Sequence, residues 1–136
     1  LKGGETVQYT LIIKGKLDNL NDYITECHSS RYAGADLKHK NENTVLCAIY
    51  EQLGRTRIQN KVKMRYKWYE PNSRRDMDNI SSFGRKVIQD ALVKAKIITD
   101  DGWKNILGFS DEFYVDKENP RIEVVIEEIE KSCKAG

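Results

Sequence analysis

Asp76 and Asp78 stand one residue apart directly behind Arg74 and Arg75, and a second acidic pair, Asp100 and Asp101, closes the helical stretch that follows. In an extended or turn conformation, side chains at i and i+2 leave the backbone on the same side. The carboxylates of Asp76 and Asp78 could therefore reach one hard cation, and Asp101, returned by a helix of suitable length, would be a third ligand. Carboxylate oxygens suit Mg²⁺ or Mn²⁺, which keep several waters when bound. Such a cation polarises a phosphodiester oxygen and lowers the pKa of a coordinated water, and Lys86 could neutralise charge on the phosphoryl oxygens. The residues also admit a plainer reading. Asp78 is a good N-cap for the helix that follows, and Asp100-Asp101-Gly102 is an ordinary turn. A calcium-binding EF-hand is excluded, because Ile80, Ser81 and Val87 occupy the positions that need an oxygen ligand, glycine and glutamate. Asp76 as a phosphoryl-accepting nucleophile is disfavoured, since two arginines and not the end of an apolar strand precede it.

The elements that must position these groups follow from periodicity. Ile80, Phe83, Gly84, Val87, Ile88, Ala91, Leu92 and Ala95 fall on one stripe of a helix. Asn79, Lys86 and Asp90 share a flank of it at about 100° per residue. Upstream, Lys61 to Trp68 alternates as a strand, with Val62, Met64, Tyr66 and Trp68 on one face and Lys61, Lys63, Arg65 and Lys67 on the other. Four like charges on one face require compensation. A neighbouring strand offers Glu123 and Glu127 at matching two-residue steps, nucleic-acid phosphates would do the same by counterion release, and the two can coexist.

The rest of the chain reads as strand, helix and strand. Val7 to Lys14 alternates as a strand ended by Gly15. Leu17 to Tyr23 is a polar turn into a helix that loosens at His28 to Gly34, resumes at Val45, Leu46, Ile49, Tyr50 and Leu53, and stops at Gly54. Trp103 to Tyr114 suggests a short strand and an aromatic loop. Arg121 to Ile129 is a last strand, apolar on both faces at Val124-Val125-Ile126. The expected fold is α/β (α+β): a small mixed sheet with two main helices in the order β-α-β-α-β-β, one domain over residues 1–136.

Composition excludes several classes. No apolar run approaches the roughly 20 residues of a membrane span and no signal-peptide core opens the chain, so a cytoplasmic, nucleoid-associated protein with no membrane partner is expected. Leu1 to Gly4 reads as a tag or trimmed terminus. Cys27, Cys47 and Cys133 are odd in number and far apart, which argues against a disulfide framework, and Cys27-His28 with His39 lacks zinc-ligand spacing. The net charge of +2 hides an asymmetry: Gln52 to Lys67 carries six basic residues and no acidic one, whereas Ser110 to Lys131 is predominantly acidic.

Arg75, Asp76, Asp78 and Asn79, then Lys86, Asp90-Ala91-Leu92 and Asp100-Asp101, together resemble the RusA family of Holliday-junction resolvases, crossover-junction endodeoxyribonucleases of phages and prophages. The resemblance is closest over Arg74 to Asp101, extends loosely over Lys61 to Glu130, and covers the first 55 residues only in element order. It implies a small α/β homodimer that needs Mg²⁺ or Mn²⁺ and nicks four-way junctions symmetrically. Carried over, Asp76, Asp78 and Asp101 are metal ligands and Lys86 is the catalytic lysine, with Asn79, Asp90 and Asp100 in support. The compact form of the motif has its lysine four residues sooner, where this chain has Ser82; Lys86 stays within about 40° of that face, and Arg85 or Lys94 could substitute. On a branched DNA, Lys61, Lys63, Arg65, Lys67, Arg74 and Arg75 would hold phosphates without reading bases. A non-catalytic phage DNA-binding accessory protein, or a nuclease for other branched DNA, are the competing readings.

Overall fold

The computed structural model describes residues 6–129. The expected tag at Leu1 to Gly4, together with Glu130, Lys131 and Cys133, lies outside them. Seven elements follow in order: β1 (Thr6–Lys14), α1 (Leu20–Ser29), α2 (Ala33–Gln52), β2 (Val62–Glu70), α3 (Met77–Lys94), β3 (Ile106–Val115) and β4 (Arg121–Ile129). The four strands form one mixed sheet in the order β1-β4-β2-β3, in which β2 and β3 run parallel and the other pairs antiparallel. The β2-α3-β3 unit is thus a parallel crossover, the connection that normally carries a helix back over the sheet.

One sheet face is dry. Leu11 and Ile13 of β1, Ile122, Val124 and Ile126 of β4, and Val62, Met64, Tyr66 and Trp68 of β2 are all buried on it. Against this face pack the stripe residues of α3 and the buried Val45 and Ile49 of α2. Gly84 decides how closely α3 approaches: a Cβ there would lie 2.6 Å from the Trp68 ring, so only glycine admits the contact. Tyr66 stacks on Trp68 with centroids 5.6 Å apart, and its phenol, pushed well up by burial, accepts a hydrogen bond from Gln89 of α3.

Among the described residues the opposite face carries no helix, and it holds the basic row. Lys63 lies opposite Glu127 and Lys67 opposite Glu123 across the β2–β4 ladder, while Glu112 of β3 flanks Lys67 on the other side. The acidic neighbour strand expected from the sequence is therefore in register with the lysines.

Four expectations change. The first helical region is two helices, because Ser30 is extended at φ −159° and its hydroxyl accepts the Ala33 N–H, so one helix ends and the next begins there. The segment after Trp103 is a ten-residue strand and not a short one. As an edge strand it leaves Leu107, Phe109 and Tyr114 half exposed, which blurs the alternation that identifies a half-buried strand. Val125 lies on the helix-free face between Thr10 and Arg65, so the Val124-Val125-Ile126 run is covered on one side only. The N-cap of α3 is Asp76 and not Asp78. No helix among the described residues is long and apolar enough to cross a membrane.

Candidate active site

The helix begins at Met77 because the chain before it is fixed. Arg75 donates from Nε and Nη2 to the two carboxylate oxygens of Glu70, at 2.9 and 2.8 Å, and from Nη1 to the Leu17 carbonyl at 2.8 Å. Glu70 is buried at the end of β2, so this fork ties the turn to the strand it has just left and to the loop after β1. Three of the five guanidinium donors of Arg75 are thereby committed inside the fold, whereas Arg74 is exposed. Immediately after the fork, Asp76 takes the extended conformation of a cap (φ −70°, ψ 134°), and its Oδ2 accepts the Asn79 N–H at 3.3 Å.

Asp78 follows in the first helical turn, where the partial positive charge of the helix terminus favours both carboxylates. Both aspartates are exposed, and among the described residues neither forms an ion pair. Asp76 borders a cleft of about 470 Å³, with Glu70, Arg74, Arg75, Met77 and Phe113 among its walls. The cleft lies outside the carboxyl ends of the parallel pair β2 and β3, where open α/β sheets characteristically bind ligands.

The second acidic pair is delivered elsewhere along the same helix. After α3 the chain reverses at Lys96, whose φ of +63° puts a lysine where glycine is usual, and the following residues run back to Asp101. Lys86 Nζ lies 3.2 Å from Asp101 Oδ2 and 3.2 Å from Asp90 Oδ1, bridging the two. Those bonds, donated first to Asp101 and then to Asp90, hold the Lys86 ammonium above its usual range. Asp90 also receives Lys38 of α2 at 2.9 Å. Burial draws Asp90 upward, but the hydrogen bonds from Lys38 and Lys86 outweigh it and leave the carboxyl below the ordinary carboxylate range. Lys38 approaches the buried Glu42 at 3.9 Å, and Glu42 pairs with Lys94, so alternating charges run from α2 across α3 to Asp101.

Asp78 and Lys86 are eight positions apart on the helix, about 12 Å along its axis. Consistent with that separation, no group of three or more Asp, Glu, His or Cys side chains among the described residues is close enough to hold a metal ion. Asp76 and Asp78 form one group, and Asp101 joins Lys86 and Asp90 in another. Asn79 is half-buried beside the cap, and Asp100 is exposed in the turn. Ser82, at the position where the compact motif has lysine, carries a buried hydroxyl with no hydrogen-bond partner. Of the proposed alternates, Lys94 is taken by Glu42 and Arg85 by Asp111 of β3.

Lys63, Arg65 and Lys67 project from the sheet face opposite α3, so the basic row and the Lys86 group occupy different sides of the molecule. Lys61 is exposed just before that strand. Sequence reasoning missed Glu70 and Lys38. An acid five residues before Arg75 across a proline turn is a readable sign of the fork. Nothing local marks Lys38, which reaches Asp90 only through the packing of α2 on α3.

The family described as Endodeoxyribonuclease RusA matches residues 6–127 of the chain. No curated protein matches it.

Proposed function

We propose, from the premise that this chain belongs to the RusA endodeoxyribonuclease family, that it resolves four-way DNA junctions by paired, metal-dependent hydrolysis of phosphodiester bonds. The observation that carries this reading is a contrast in charge pairing along α3. Glu42, Glu70, Asp90, Asp101 and Asp111 each face a lysine or arginine. Asp76 and Asp78 face none among the described residues, and Asp76 borders an open cleft. Two exposed hard-oxygen donors on one short segment fit a Mg²⁺ or Mn²⁺ ion that keeps most of its waters. When bound, such an ion supplies an activated water and Lewis-acid polarisation of the phosphate.

Asp76 and Asp78 would hold the ion, and Asp101 is the third carboxylate of the proposed set. Lys86 is charged at neutral pH, and its two partners in this structure are that same Asp101 and Asp90. Loss of the Lys86–Asp101 pair would free the carboxylate for a cation and leave the ammonium, still beside Asp90, with capacity for phosphoryl oxygens. Asp90 stays neutralised by Lys38 during such an exchange. Arg74 and the row Lys61, Lys63, Arg65 and Lys67 would take phosphates, with Arg75 acting chiefly by fixing the cap. A symmetric homodimer acting on cytoplasmic DNA would present two such sites to the two strands to be cut.

Cleavage of a synthetic four-way junction with Mg²⁺ or Mn²⁺, set beside a flap and a linear duplex, tests the proposal. Paired nicks in the junction are the expected result. Binding without cleavage under either metal would favour a non-catalytic DNA-binding protein, and preferential cutting of the flap would favour a nuclease for other branched DNA.

A further inference from the structure

Trp103 is 93% exposed in the turn before β3, and Leu107 and Phe109 are each about half exposed, at 51% and 52%. Single apolar residues at a surface need no explanation, but these three meet. With Gln89 and Asp101 they line a shallow depression of about 240 Å³ between α3 and the start of β3. Ligand clefts usually begin near 300 Å³, so the depression is small for an enclosed metabolite site. Trp103 and Phe109 give its lining two aromatic rings. The Arg85 guanidinium lies 4.5 Å above the Phe109 ring, the exposed Lys104 follows Trp103, and Asp101, bonded to Lys86, forms one side.

We infer that Trp103, Leu107 and Phe109 form a stacking platform for one nucleobase turned out of the duplex at a branch point. The inference rests on the proposed reading that the chain binds branched DNA. Its support is continuity and chemistry. Asp101, which holds Lys86, and Trp103, two positions beyond it, line the same depression, so a phosphate at Lys86 would bring its nucleotide close to Trp103. The exposed Lys104 beside Trp103 and the exposed Lys86 behind Asp101 suit a polyanion, while Trp103 and Phe109 bring aromatic rings to the lining. Every base has a π-face, so an aromatic platform captures bases without regard to sequence. The base least costly to extrude is one already unpaired or unstacked, which a branch point provides and a continuous duplex does not.

The two tryptophans make the test direct, because Trp68 is 1% exposed and Trp103 is open to solvent. Tryptophan emission is followed while the full chain, in EDTA to prevent cutting, is titrated with a fluorescein-labelled four-way junction or a duplex of equal length. Anisotropy of the DNA label reports binding separately. The junction is expected to quench emission strongly and the duplex weakly. W103A should lose the quench and weaken junction affinity about tenfold, the order of one base–aromatic stack, with duplex affinity unchanged. Binding by anisotropy with unaltered emission overturns the platform and leaves the resolvase reading intact. Absence of binding to any junction overturns both. Emission that shifts to the blue with protein concentration alone overturns the platform in favour of a second copy covering Trp103.

Discussion

The two ends of the acidic system on α3 are built from the same residue type and are electrostatically opposite. At the N-terminus, Asp76 and Asp78 are exposed, favoured by the helix dipole and without a cation among the described residues. Half a helix away, Asp90 and Asp101 are bridged by Lys86, and Asp90 is further held by Lys38. An unpaired carboxylate keeps its charge available for a metal, whereas a paired one must first exchange partners. On the proposed reading the first group would take the cation directly, whereas Asp101 would first have to leave Lys86.

The sharpest way to break this contrast is D76N. Asparagine caps a helix about as well as aspartate, so the fold should survive. Junction cleavage should fall below detection while junction affinity, measured by mobility shift, stays equal or rises because a negative charge is gone. Retained cleavage would remove Asp76 from the metal site. Next in size is K86M. If Lys86 stabilises charge on the reacting phosphate, kcat should drop by about 10²–10³-fold with little change in DNA affinity. A matched loss of binding would instead make it a phosphate contact.

G84A touches neither group but forces α3 away from Trp68, and overpacking of this kind costs about 1–3 kcal/mol. Its midpoint in urea should fall accordingly. K38A is expected to be mild. Lys38 side-chain exposure is 32%, and a pair of this kind contributes up to about 1 kcal/mol, so cleavage should change by less than about fivefold. That change should vanish in a D90N background if Lys38 acts through Asp90.

The smallest effect concerns pH. Asp90 titrates below its unfolded value, so its contribution to stability is present above the ordinary carboxylate range and is lost as pH falls through the lowered value. Lys86 titrates above its unfolded value, so its contribution is present below the ordinary lysine range and is lost as pH rises through the raised one. Thermal melts should be flat at intermediate pH, and D90N should flatten the acid limb.

Much of this was readable in advance, for identifiable reasons. The α3 stripe from Ile80 to Ala95 and the alternation of β2 are strongly periodic, and all of those apolar positions are buried. The pairing of Lys63 and Lys67 with Glu127 and Glu123 followed from matching two-residue steps. The sequence alone puts the cap of α3 at Asp78, two residues late, because both aspartates can cap; the Arg75–Glu70 fork makes the choice, and it depends on a buried acid in the preceding strand. β3 reads as short in the sequence because an edge strand can leave large apolar residues in water.

Residue type and spacing by themselves determined the composition of the candidate site: hard carboxylates flanking one amphipathic helix, with a lysine on its polar flank. Which carboxylates are free and which are neutralised was decided only by the tertiary structure. The left-handed turn at Lys96 and the packing of α2 on α3 bring Asp101 and Lys38 to partners far away in sequence. Such pairings depend on where helices cross, and no local pattern in the chain records that.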